Sequence, residues 1–80
     1  MTTKKEKQDP RKKLGAWIKT KRLATGLSQR QLAGLIGRSA GFMEGLESGK
    51  RLALEDYLAI TKALNVDPHD GITLIQSCSR

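Results

Sequence analysis

The sequence predicts an all-α fold, a compact bundle of five short helices, and three observations carry that expectation. Apolar residues recur at helical spacing in successive segments. Cap residues and glycines punctuate those segments, and no stretch alternates apolar and polar residues as a half-buried strand would.

Residues 1–8 are polar and Lys-rich without apolar periodicity and read as a flexible basic arm, which leaves residues 9–80 for the domain. Asp9 can cap a first helix with Pro10 at its first position, and Leu14, Trp17 and Ile18 then share a face until Gly26 ends it, over about 10–25. Ser28 and Gln31 form a capping box for the second helix, whose buried side is read as Leu32, Ala33, Leu35 and Ile36 before Gly37 stops it. Ser39 can cap a third helix carrying Phe42, Met43 and Leu46 at helical spacing and closing at Gly49. Its intrinsic propensity is poor, because Gly41 and Gly45 each cost about 1 kcal/mol relative to alanine. The fourth helix, 54–64, has Glu55 and Asp56 in its first turn, where they complement the helix dipole, and presents Tyr57, Leu58, Thr61 and Leu64. The fifth restarts with Asp67 as cap and Pro68 at the first position; Ile72, Leu74 and Ile75 make it apolar enough either to close the core or to meet another subunit.

The net charge of +7 is unevenly placed. Residues 11–51 hold ten Lys and Arg against Glu44 and Glu47, whereas residues 52–80 hold Lys62 and Arg80 against Glu55, Asp56, Asp67 and Asp70. A basic domain polarised in this way points to a polyanion, most often nucleic acid, although a solvated surface accounts equally well for charge alone. No apolar run approaches the roughly 18 residues of a membrane span, so no membrane partner is expected. The N-terminal "MTTKKEKQDPRKK" has a basic region with no apolar core behind it, and the lone Cys78 cannot form an internal disulfide; both fit a cytoplasmic protein. His69 is the sole histidine and Cys78 has no base beside it in sequence. No catalytic residues, metal site, cofactor or small-molecule substrate are therefore expected.

The stretch "KTKRLATGLSQRQLAGLIGRSAGFMEGLESGKR" resembles the phage repressor and Cro-like helix-turn-helix family, also called the xenobiotic-response-element family. A twenty-residue helix-turn-helix starting at Gln29 has Ala33 at its fifth position, Gly37 at its ninth, and Met43 and Leu46 at its fifteenth and eighteenth. Ala33 lets two helices approach, Gly37 accepts the positive φ of the turn, and Met43 and Leu46 seat helix three on the core. The resemblance runs from about Leu14 to Val66 and implies a lambda-repressor-like bundle with its helix-turn-helix in helices two and three. It also implies a structural ion pair between Arg22 and Glu47, phosphate contacts from Ser28, Gln29, Ser48, Lys50 and Arg51, and entry of helix three into the major groove.

The base-contacting positions depart from the family. Amide side chains usually stand where this chain has Ala40, Gly41 and Gly45, and Arg38 occupies a turn position that is usually apolar. Three readings follow. In the first, the protein is a transcriptional regulator, a repressor or autoregulator on a palindromic operator, whose specificity comes from Arg38, Ser39 and Phe42 with indirect readout. In the second, it binds DNA without sequence preference. In the third, helix three docks on a protein, as in an antiactivator or antitoxin-like module. The first is favoured because the basic belt and phosphate positions survive. Double-stranded DNA and a second copy of the chain are the expected partners, with Ile72, Leu74 and Ile75 as the dimer interface.

Overall fold

The computed structural model describes residues 9–78, which form five helices: α1 Pro10–Ala24, α2 Gln29–Leu35, α3 Ala40–Glu47, α4 Leu54–Leu64 and α5 Pro68–Cys78. The arm expected at residues 1–8 lies outside the described residues, as do residues 79–80 at the end of the expected domain.

The helix starts follow from local chemistry. Asp9 accepts the Arg11 backbone N–H at 3.0 Å, with Pro10 opening α1 where a missing N–H costs nothing. Ser28 Oγ accepts the Gln31 N–H at 3.0 Å while Gln31 Oε1 accepts the Ser28 N–H at 2.8 Å, completing the capping box of α2. Ser39 Oγ accepts the Phe42 N–H at 3.1 Å and starts α3. Asp67 accepts the His69 N–H at 2.9 Å and starts α5. Ala53 has no side chain to cap α4, whose start rests on Glu55 and Asp56 near the dipole.

Leu14, Ile18, Leu32, Ala33, Met43, Leu46, Tyr57, Ile60 and Leu64 form the core, with α1 packed on α3 and α5, and α2 packed on α3 and α4. Two side chains sit elsewhere than the sequence pattern suggested. Leu35 is 63% exposed and Leu58 47% exposed, whereas Ile60 is fully buried. The physical reason is the period: Tyr57, Ile60, Thr61 and Leu64 stand at i, i+3, i+4 and i+7, and Leu58 falls outside that stripe. On the short α2, Leu32 and Ala33 face the core with Ile36 following one turn on, which turns Leu35 outward.

Two glycines let helices touch backbone to backbone or ring. A Cβ on Gly15 would stand 2.5 Å from the Leu46 carbonyl oxygen and 2.9 Å from that of Glu47, so α1 meets the end of α3 at a distance only glycine permits. Gly71 admits the Tyr57 hydroxyl and Trp17 against α5. The Tyr57 hydroxyl donates to the Pro68 carbonyl and ties α5 to α4; burial pushes this phenol above its ordinary value near 10.0.

Candidate nucleic-acid interface

The interface is built around α3 and its two flanks. At its start, Gly37 takes φ +74°, a left-handed turn that costs other residues roughly 1–2 kcal/mol, and the Arg38 N–H donates to the Ala33 carbonyl at 2.8 Å. This fixes the angle between α2 and α3. At its end, the Lys50 N–H donates to the Gly45 carbonyl at 3.0 Å and the Gly49 N–H to the Leu46 carbonyl at 3.1 Å, with Gly49 at φ +107°. These paired bonds are a Schellman closure, and its customary contact between the residue after the glycine and the helix is made by the Lys50 stem on Gly45. A Cβ at Gly45 would lie 3.0 Å from Lys50 Cδ. The glycine thus gives room for Lys50 to fold back over the helix.

A buried network holds α3 on the scaffold. Arg22 donates from Nε to Glu47 Oε2 at 2.7 Å and from Nη2 to Glu47 Oε1 at 3.1 Å, and from Nη1 to the Leu27 carbonyl at 2.7 Å. The two side chains are 7% and 4% exposed. Each of the three guanidinium nitrogens therefore has an acceptor, as a buried pair needs if it is to offset its desolvation. The pairing implied by the family resemblance is present. Gln29 joins it, donating from Nε2 to Glu47 Oε1 at 3.0 Å. One N–H of the side-chain amide expected to contact phosphate is thus engaged with the end of α3, and Gln29 itself is half-buried.

The remaining predicted positions fall into two groups. Ser28, Ser48, Lys50 and Arg51 are exposed at the ends of α2 and α3, with the Ser48 hydroxyl donating to the Gly45 carbonyl at 2.9 Å. Along α3 itself, Ser39 and Gly41 are exposed while Ala40, Phe42 and Gly45 are half-buried, and Glu44 points to solvent. Arg38 does not stand alone in the turn. It donates from Nε to Asp56 Oδ1 at 3.2 Å and from Nη2 to Oδ1 and Oδ2 at 2.9 and 3.1 Å, and its guanidinium lies 5.0 Å over the Phe42 ring. One face of Phe42 is thereby covered by a cation, a contact worth about 0.5–1 kcal/mol at an exposed site.

Sequence reasoning missed Asp56 and Gly15. Asp56 reads locally as an acid complementing a helix dipole, and its partner lies eighteen residues upstream. The available signal was Arg38 itself, because a charge at a usually apolar position needs a counter-charge. Gly15 carried no signal, since its role is set by a carbonyl on another helix.

The caps, the tight α2–α3 turn, and the exposed hydroxyls and cations around a buried-in-place α3 define a helix-turn-helix DNA-binding domain. The family model described as a helix-turn-helix domain matches residues 13–70, and the chain belongs to that family. A crystal structure of the clp gene regulator ClgR from Corynebacterium glutamicum matches with TM-score 0.82 and 26% identity, over 89% of this chain and 77% of that one. A second ClgR structure matches with TM-score 0.77 at 26% identity, over 89% of this chain and 94% of that chain. The restriction-modification controller protein C.AhdI from Aeromonas hydrophila matches with TM-score 0.72 and 33% identity, over 79% of this chain and 96% of that chain. A search of curated proteins finds no match. The protein is a DNA-binding transcription regulator of the helix-turn-helix class. Among the described residues no helix is long and apolar enough to cross a membrane, and no group of His, Cys, Asp and Glu could hold a metal ion.

Proposed function

We propose that the protein is a cytoplasmic repressor or autoregulator that binds a palindromic operator as a two-fold homodimer, with α3 in the major groove. The observation that carries this reading is the seating of α3: the buried Arg22–Glu47 pair, joined by Gln29, fixes the helix while Ser28 at the start of α2 and Ser48, Lys50 and Arg51 after α3 stand exposed. A helix held in this way, bordered by hydroxyls and cations, suits phosphate contacts that set register beside a groove-inserted helix. Support for the dimer comes from an apolar groove beside α4 and α5. Leu14, Leu52, Leu54, Tyr57, Ile72 and Ile75 line this groove of about 200 Å³, and Leu54, Leu58 and Ile72 are exposed on α4 and α5. Leu74 is half-buried and Ile75 packs against the core, so Ile72 is the more accessible of the three predicted interface residues.

The reading is tested by titrating the protein, at several salt concentrations, against a duplex it enriches from a randomised pool and against a random duplex of equal length. Preference for the enriched duplex by about 10³-fold or more supports it. Equal, salt-steep binding to both indicates contacts to phosphate alone. Absence of binding to either at moderate salt contradicts it in favour of a protein-docking role for α3.

A further inference from the structure

A guanidinium has five N–H donors in a rigid plane. Asp56 takes those on the Nε and Nη2 side of Arg38, and among the described residues Nη1 meets no acceptor. The Arg38 side chain is 46% exposed while Asp56 is 13% exposed, so the carboxylate is the anchored partner and the arginine the presented one. Phe42 lies under the guanidinium plane. The first turn of α3 is open at Gly41, where a Cβ would meet nothing nearer than Ser39 Oγ at 3.8 Å.

We propose that Asp56 is a specificity-positioning residue: gripping Arg38 from the side on the Phe42 platform, it aims the free Nη1–Nη2 edge at the N7 and O6 acceptors of a guanine beside the N-terminus of α3. This rests on the DNA-binding reading above. The geometry favours a base edge over a phosphate for two reasons. A phosphate contact needs charge more than orientation, and a carboxylate held against the arginine cancels part of that charge. A two-acceptor guanine edge needs a planar fork in a fixed orientation, which the same carboxylate supplies. The small residues Ala40 and Gly41 then do not leave α3 blind, because the reading group arrives from the turn before it.

The test uses the full chain, the duplex enriched by the wild type, and a random duplex. Asp56→Asn is expected to lower the enriched-to-random affinity ratio by about tenfold, the discrimination of one bidentate base contact, while random-duplex binding holds or tightens because a negative charge is gone. Arg38→Ala is expected to lower the ratio similarly, and the double variant to lower it no further. Replacing guanines of the enriched duplex by 7-deazaguanine, which removes N7, should weaken the wild type and leave Arg38→Ala unaffected. That arm requires no substitution at Asp56 and stands if Asp56→Asn fails to fold. An unchanged ratio in a folded Asp56→Asn overturns the proposal, as does an Arg38→Ala that weakens both duplexes alike with a salt slope shallower by about one, the mark of a phosphate contact. Wild-type protein that enriches no sequence overturns the DNA-binding reading and this inference with it, whereas wild-type selectivity intact with an unchanged variant ratio overturns the inference alone.

Discussion

Glu47→Ala removes the acceptor for three hydrogen bonds: two from Arg22, at 2.7 and 3.1 Å, and one from Gln29 at 3.0 Å. What remains is a guanidinium, 7% exposed, whose sole surviving partner in this network is the Leu27 carbonyl. An uncompensated buried charge costs about 3–5 kcal/mol. A domain of this length has a total stability of about 4–12 kcal/mol at the usual value per residue, so the substitution removes from a quarter to all of it. With a urea slope of about 1 kcal/mol per molar, the midpoint should fall by about 3 M or more, if the variant folds at all. Replacing both partners, Arg22→Met with Glu47→Leu, removes the stranded charge and should recover most of the loss. Urea unfolding followed by circular dichroism measures all three proteins. A loss below about 1 kcal/mol in Glu47→Ala, the range of a solvent-exposed pair, would refute the claim that this pair locks α3.

Two glycine substitutions should move stability in opposite directions. Gly15→Ala forces a methyl against the Leu46 and Glu47 carbonyls and should destabilise by about 1–3 kcal/mol or more, whereas Gly41→Ala, in open space, should stabilise by up to about 1 kcal/mol; thermal melts showing the same sign for both would contradict the packing described. Ile72 is 41% exposed, so Ile72→Asp should leave the fold intact and convert a dimer to a monomer in sedimentation; an unchanged dimer mass would exclude α5 as the interface. The His69 backbone N–H, then its ring, hold the Asp67 carboxyl below its ordinary value of 3.8. A lowered acid stabilises the fold above the unfolded-state value, and that contribution is lost as pH falls through the lowered value. A carbon-13 titration should place Asp67 below 3.8, and a midpoint at or above it would contradict the cap.

The helices were legible because their boundaries are written in single residues. Asp9, Ser28, Gln31, Ser39 and Asp67 all make the cap contacts their positions imply, and Gly37 has the positive φ its place in the turn implies. The Arg22–Glu47 pair was legible only through resemblance to a family, since twenty-five residues separate the two. The network beyond it was not readable. Gln29 had a plausible role at a helix start, and its turn toward Glu47 depends on where α3 docks. Arg38 was recognised as a departure, yet its orientation is decided by Asp56 on a helix whose approach no local pattern specifies. Leu35 and Leu58 show the same limit in the core, where the width of the apolar stripe is set by the neighbouring helices.

The central claim is that the face around α3 meets DNA. Amide chemical-shift perturbation on adding the enriched duplex tests it most directly. The largest shifts should fall at Ser28 and Gln29, from Arg38 to Gly45, and from Ser48 to Arg51, with little change at Leu58 and Ile72. Shifts concentrated on α4 and α5, or none at saturating duplex, would contradict it.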